Sequence, residues 1–496
     1  LEEIINITKN SGFLFFGKIF GYIFAFLFNI FIVRSLGSES YGMFVLVYTF
    51  VSFFAIILKF GLNQGLVAYI PKLKTEKKIK EIKDIINYSI IFITCISIVT
   101  VITVIIQSNN ISTIFLNDID TKHILIKMSG LIIFLSLINL LEGIYRAQNK
   151  IKYYVLGKNI LVNVLKLSTY ILLIIVFKNK FINSLIIAYY ISIFIILIYL
   201  FKKLDSISFD FKFNIKSLGI FKKMIIFSFP LFLSDILGFA ITRTDIFMIG
   251  YFLGNVDVGT YNVALKIASA STFAALSFSS MFSPVISKLY NNREYKKLEQ
   301  IYTTITKWIF MISIFLLSLV ILYSKELMLI FDSEFVYGNF ALILLVLGQI
   351  INGISSTAGF MNVMTGNPQY EFYTNIFLLV TNVLINYWLI PLIGINGAAI
   401  ASLLSFFFMG VIKILLVYKD HKWLPFSKNY LKVLFSIGLS FLIVFIIKIN
   451  IHIHFIVNMI IGTFLFGIIF VLFYYWFGID KSDQIILNKI KNKFIK

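Results

Sequence analysis

Apolar runs of about twenty residues recur along the chain, separated by short polar stretches. A helix needs roughly that length to cross the hydrocarbon core of a bilayer. By that measure about fourteen spans are predicted, at roughly 12–33, 42–66, 85–107, 123–145, 153–177, 182–201, 224–250, 258–283, 301–323, 338–364, 370–390, 396–417, 431–448 and 455–478. The runs lack the alternation and the ten-residue period of a membrane barrel. The pattern predicts an all-α, polytopic membrane protein.

Composition sharpens this reading. The chain has 496 residues, of which 59% are hydrophobic and only 14% charged, and its mean hydropathy is +0.93. Soluble domains keep about a quarter of their residues charged, so an ordinary soluble enzyme is excluded. The net charge of +21 would suggest nucleic acid in a soluble protein. Here it reports topology instead, because Lys and Arg collect in cytoplasmic loops. Basic residues cluster in alternate loops, at Lys72–Lys83, Arg146–Lys152, Lys202–Lys223, Lys288–Lys297 and Lys419–Lys428, and in the tail Lys481–Lys496. With Lys9, one side holds roughly 28 basic residues against about 6 on the other, which predicts both termini in the cytoplasm of a multi-pass cell-membrane protein. The opposite side carries Asp118, Asp120, Asp332 and Glu334. The first apolar run has no small-residue cleavage site after it and reads as a span. No loop exceeds about 22 residues, too short for a soluble catalytic domain. The single cysteine, Cys95, allows no intrachain disulfide, and no Cys/His spacing suits a metal.

The chain also repeats itself. Leu36-Gly37-Ser-Glu-Ser-Tyr41-Gly42 matches Leu253-Gly254-Asn-Val-Asp-Val258-Gly259, at a shift of 217 residues. Lys72-Leu73 matches Lys288-Leu289, and Ile114-Phe115 matches Ile330-Phe331, both at 216. Six spans separate the copies, so both enter the membrane in the same direction. Parallel repeats about the membrane normal are one architecture of secondary transporters, which rock two halves around a central site. The expected organisation is an N-lobe at 1–201, a linker at 202–223, a C-lobe at 224–417, and two further helices with a basic tail at 418–496.

Charge inside the spans is expensive and therefore informative. Span 1 aligns Lys18, Tyr22, Ala25 and Asn29, and span 5 aligns Asn159, Asn163, Lys166 and Tyr170. Span 7 aligns Ser228, Asp235, Gly238 and Thr242, with Arg243 and Asp245 on its flanks; span 8 carries Lys266 with Ser269, Ala270, Ser277 and Ser280. Span 10 lines up Gln349, Asn352 and Ser356, and span 11 lines up Asn375, Asn382 and Asn386. These stripes suggest a hydrated cavity. Its first half is cationic, with Lys18, Lys59 and Lys166 in depth, Arg34 at the outer mouth and Glu142 near the inner end. Such a half-cavity suits a phosphate or pyrophosphate. Midplane carboxylates beside amides suit Na⁺ or H⁺ coupling, at Asp235 and Asp245 with Asn382 and Asn386. Lys18, Lys59 and Lys166 could instead snorkel; Arg34 could anchor the interface; Arg243, Asp245 and Lys266 could form a structural ion network; and the asparagine rows could be interhelical glue.

Asn386-Tyr-Trp-Leu-Ile-Pro391-Leu-Ile-Gly394-Ile-Asn-Gly397-Ala-Ala399 resembles the helix 11–12 hairpin of the polysaccharide-biosynthesis flippases, in the multidrug/oligosaccharidyl-lipid/polysaccharide exporter superfamily. Arg34-Ser-Leu-Gly37 through Tyr41-Gly42 resembles their first outer turn, and Asp245 through Tyr261 with Ala264 the start of their second lobe. Pro391 and Gly394 break the chain between spans, and Gly397-Ala398-Ala399 permits close packing. The resemblance covers about the first 420 residues and implies two six-helix lobes around a V-shaped cavity. It implies a cationic substrate site at Lys18, Arg34, Lys59 and Lys166, extended to Arg243 and Lys266. The substrate it implies is a polyprenyl-(pyro)phosphate-linked oligosaccharide, flipped from the inner to the outer leaflet by alternating access for cell-surface glycan synthesis.

No cofactor is expected beyond a coupling ion, Na⁺ or H⁺. The expected partners are the lipid-linked substrate, the bilayer and a glycan polymerase or transferase, with no nucleic acid. A drug/cation antiporter of the same superfamily is the nearer alternative, and it relies on acids in the first lobe where this chain has Lys18. A membrane glycosyltransferase or polymerase is the more distant one, resting on Asp118-Ile-Asp120 alone. An anion channel would conduct passively. His452 and His454 read as interfacial, and Asn110-Ile-Ser112 is a weak outward sequon.

Overall fold

The computed structural model describes residues 2–116, 118–177, 182–204, 214–426, 429–450 and 454–478. The predicted linker segment 205–213, Lys428, His452 and the tail from Lys481 lie outside them, as do the side chains of Lys9, Lys18, Lys216, Ser277 and Ser280. Among the described residues there is no strand. The helices are α1 (Glu2–Ile57), α2 (Leu62–Thr75), α3 (Ile79–Ile106), α4 (Ser108–Asn110), α5 (Thr121–Ser129), α6 (Leu131–Ala147), α7 (Ile151–Val155), α8 (Val162–Phe177), α9 (Ile182–Lys202) and α10 (Ile215–Phe252). They continue as α11 (Asn255–Ser269), α12 (Thr272–Asn291), α13 (Tyr295–Leu329), α14 (Asn339–Met364), α15 (Pro368–Ile393), α16 (Ile395–His421), α17 (Asn429–Asn450) and α18 (Phe455–Trp476). A π-helical turn, Leu156–Leu161, joins α7 to α8.

Among the described residues, eleven helical segments are long and apolar enough to cross a membrane, or twelve if the pair α5 and α6, bent by 48°, is one span. Two places account for the difference from the fourteen predicted spans. At Gly37 the backbone leaves helical geometry (φ 76°, ψ 175°), so α1 is two helices meeting at a kink, and the long segment Phe20–Thr75 holds both predicted spans 12–33 and 42–66. The predicted span at 258–283 is divided between α11 and α12.

The chain forms two compact units, residues 1–259 and 260–496. In the first, α10 packs against α1, α2 and α3. The boundary between the two compact units falls within α11. Glycine makes this packing close: a Cβ on Gly61 would sit 2.5 Å from the Ser228 carbonyl oxygen, and one on Gly65 would overlap the Ser228 hydroxyl. Ser217 donates to Asp84 across 2.6 Å, tying α10 to α3, and the Tyr145 hydroxyl donates to the Leu200 carbonyl at 2.6 Å, tying α6 to α9.

In the second unit, α14, α15 and α16 form the tightest packing. Gly348 lies against Leu403 and Gly410 against Ser355. Gly394, at φ 64°, turns the hairpin after Pro391, and a Cβ on Gly397 would overlap the Leu389 carbonyl. α17 and α18 dock on α13 through Tyr323, Val433, Ile437, Val444, Phe466 and Phe470. There α13 departs from helical geometry at Tyr323. Lys448 donates to the Leu322 carbonyl and pairs with Glu326 at 2.6 Å.

The turns recur at the spacing seen in the sequence. After α2, the N–H groups of Glu76, Lys77 and Lys78 donate to the carbonyls of Lys72, Lys74 and Leu73; after α12, those of Asn292, Arg293 and Glu294 donate to Lys288, Tyr290 and Leu289. Lys77 and Arg293 both have left-handed φ, 55° and 60°. The turns at Asn149 (φ 57°) and Gly366 (φ 108°) also share one bonding pattern. Beside the first of these turns, a hydrogen bond from Lys78 holds the Glu76 carboxyl below the usual carboxylate range.

Candidate substrate and ion site

The polar interior of the first unit is built around two helix irregularities. The first is the break between α1 and α2, where Phe60 and Gly61 take left-handed φ values of 46° and 68°. Phe60 is pinned by ring contacts with Phe92 (5.7 Å) and Phe232 (5.3 Å). Lys59, next in line, is buried. Its Nζ lies 2.7 Å from Oδ2 of Asp235 on α10. Two residues that the sequence suggests for different tasks, phosphate binding and ion coupling, are here one ion pair.

The second irregularity is the π turn Leu156–Leu161. In an unbroken α-helix Lys158 and Lys166 would stand about 80° apart. A π turn closes i→i+5 and takes in an extra residue, which brings Lys158 round towards the Lys166 face. The charge of Lys158 accordingly acts on Lys166, and those of Lys59 and Glu142 act on Lys158. Lys158 donates to Asn139 Oδ1 at 3.1 Å and lies 5.2 Å from the Tyr154 ring centroid. The Tyr154 hydroxyl donates to Glu142 at 3.2 Å. Sequence reasoning missed Lys158, since only the π turn gives it this place.

Lys166 is buried, with its Nζ 3.8 Å from the centroid of the Tyr189 ring. An aromatic face is a favourable seat for a desolvated cation. Tyr189 belongs to an aromatic wall with Phe28 (6.1 Å), Phe44 (5.1 Å) and Tyr48 (5.3 Å). Among the described residues, Lys166 has no ion pair. Arg243, half-buried on α10, lies within electrostatic range of Tyr41 and Tyr48. Asp245 is buried, whereas Arg34 is exposed. In the stripe predicted for span 5, Tyr170 bonds Ser35 at 2.7 Å and Asn163 donates to the Gly21 carbonyl at 3.3 Å. The structure thus brings Lys59 to Asp235 and seats Lys166 on the Tyr189 ring of the aromatic wall.

The remaining candidates lie in the second unit. Lys266 is half-buried. Asn386 donates to Asn382 Oδ1 at 3.0 Å, and Asn382 lies 3.4 Å from the Ser402 hydroxyl on α16. The row therefore ties α15 to α16, and it also gathers side-chain oxygens of the kind Na⁺ takes. Sequence reasoning missed the pair Lys413–Glu371, 2.6 Å apart with Lys413 almost fully buried. Both residues lie roughly twenty positions from the α15–α16 hairpin and so at one depth, a signal present in the sequence. Among the described residues no group of three or more His, Cys, Asp or Glu could hold a metal ion.

Long apolar helices packed closely at glycines define a multi-pass membrane protein fold. The same fold occurs in the structure of the lipid II flippase MurJ in an inward-closed conformation, with a TM-score of 0.75 and 18% identity over 93% of this chain and 98% of that one. It occurs also in an inward-facing multidrug-resistance MATE transporter of the MOP superfamily, with a TM-score of 0.69 and 16% identity over 80% and 94% of the chains. Residues 7–290 match the family described as polysaccharide biosynthesis protein, and residues 230–388 match MatE. The chain belongs to the polysaccharide biosynthesis protein family, within the MOP superfamily. A relative from Haloferax volcanii, named "Probable low-salt glycan biosynthesis flippase Agl15", is 26% identical over 174 residues, or 35% of this chain. The match spans 37% of that relative's length.

Proposed function

We propose that the protein flips a polyprenyl-(pyro)phosphate-linked oligosaccharide from the cytoplasmic to the outer leaflet by alternating access. The observation that carries this reading is Lys166, a buried ammonium seated on the Tyr189 ring without an ion pair among the described residues. A buried charge is costly unless something of opposite sign joins it. A substrate bearing phosphate supplies that partner as it enters, and Lys59, Lys158 and Arg243 extend the cationic surface. A cationic drug would meet repulsion at the same place. The names of the similar proteins, a lipid II flippase and a glycan-biosynthesis flippase, support a lipid-linked glycan as the cargo.

In this reading the termini and lysine-rich loops face the cytoplasm, residues 1–201 and 224–417 are the two repeats that rock, and the polyprenyl chain stays in lipid. No bond is made or broken. The cycle needs only that substrate bind the two states unequally. Asp235, Asp245 and the Asn382–Asn386 row are the coupling-ion candidates, for Na⁺ or H⁺. The test is flipping of a fluorescent polyprenyl-pyrophosphoryl sugar in proteoliposomes, with Lys166→Met expected to slow it at least about tenfold. Wild-type protein that leaves the lipid in place but exports cationic drugs would replace this reading with the antiporter.

A further inference from the structure

Lys59 and Asp235 each depend on the other. Among the described residues, neither side chain has a hydrogen bond or ion pair to any other group. Lys59 is buried, and the pair stands where α1 ends and α2 begins. Removing one partner from such a pair leaves an uncompensated charge in low dielectric. The two charges therefore cannot separate unless each finds a replacement.

We infer that Lys59 is a shared residue, which pairs either with Asp235 or with the phosphate of the substrate headgroup. On that account headgroup binding creates a monovalent-cation site at Asp235. This rests on the reading of the substrate as a phosphate-bearing lipid. A phosphate offers more charge and more acceptor oxygens than one carboxylate, so it competes for the ammonium. The turn at Phe60 and Gly61 lets Lys59 change partner without unwinding a helix, since the backbone there is already outside helical geometry. Once Lys59 turns away, Asp235 is a half-buried carboxylate with no counter-charge, and a proton or Na⁺ neutralises it. When the headgroup leaves, Lys59 returns and expels the cation. Linkage makes the effect reciprocal: the cation raises affinity for the anion as much as the anion raises affinity for the cation. Lys158 and Glu142 are the other charged groups whose fields reach this place.

The experiment is calorimetry of purified full-length protein with farnesyl pyrophosphate as probe. It is run in two buffers of different ionisation heat and across a Na⁺ series, on wild type, Asp235→Asn and Lys59→Met. Wild type is expected to take up about one proton per probe bound, or to bind more tightly as Na⁺ rises; these two outcomes identify the cation. Asp235→Asn, which releases Lys59, is expected to bind the probe about tenfold more tightly with no cation linkage. Lys59→Met is expected to bind weakly and without linkage. If it fails to fold, the comparison of wild type with Asp235→Asn decides alone. Equal affinity for wild type and Asp235→Asn with no cation linkage in either would overturn the exchange and leave the phosphate-lipid reading standing. No binding to any form would overturn both.

Discussion

Gly42 and Gly259 pack reciprocally. A Cβ on Gly42 would overlap the Asn255 carbonyl oxygen, and one on Gly259 would sit 2.5 Å from the Ser38 carbonyl oxygen. Ser38 and Asn255 occupy matching places in the repeated turn, as do the two glycines. Residue i meets j′ and i′ meets j, the pattern of a contact about a two-fold axis. Neither turn tolerates a side chain, because backbone lies where it would go.

Gly42→Ala and Gly259→Ala should therefore destabilise by similar amounts, about 1–3 kcal/mol each from overpacking. Thermal unfolding of the purified single variants checks this. A large loss from one and none from the other would show that the reciprocal contact is not energetically symmetric.

Lys166→Met should separate stability from transport. Replacing a buried ammonium with an apolar chain of similar length is neutral or stabilising, while the phosphate loses its seat. The expected result is an unchanged or higher melting temperature with flipping reduced about tenfold or more. A variant that flips normally would return Lys166 to a purely structural role.

The Glu371–Lys413 pair should behave as a unit. Lys413→Met alone leaves the carboxylate unpaired and should cost about 3 kcal/mol, whereas Glu371→Gln with Lys413→Met should recover much of that loss. A double-mutant cycle on thermal stability measures the coupling. Additive single effects would mean the two side chains are solvated independently.

Much of the fold was legible in the runs of apolar residues, because membrane solvent forces every span to declare itself in composition. The repeated turn was legible too, since Gly37 and Gly254 hold positive φ at the two copies and few other residues accept that geometry. The candidate site was legible as residue types but not as partners. Lys59 and Asp235 lie on separate spans, and nothing in local periodicity says which charges will meet. α10 illustrates the same limit: its packing on α1, α2 and α3, close at Gly61 and Gly65, is not written in local periodicity. Asn382 and Asn386 show a third case, in which a polar stripe bonds within itself and to Ser402.

A further prediction concerns the terminal pair of helices. Lys448→Met should free the Leu322 carbonyl at the bend in α13 and leave Glu326 without its cation. The expected cost is about 1–3 kcal/mol, limited because both side chains are partly exposed. It should appear as faster proteolysis between α16 and α17, while residues 1–259 keep their resistance. Unchanged proteolysis would show that apolar packing around Phe466 and Phe470 suffices.

The π turn at Leu156–Leu161 sets the phase of everything after it in the same helix. Deleting one residue there would restore regular α-helical winding and rotate α8 by about 100° relative to α7. Lys166 would then keep its depth in the membrane but face away from the Tyr189 ring, with every side chain still present. Relatives that lack the extra residue could carry a lysine at the aligned position and still have no cation at this wall. The chemistry of the site is thus a matter of angular register, which a comparison of residue identities alone does not see.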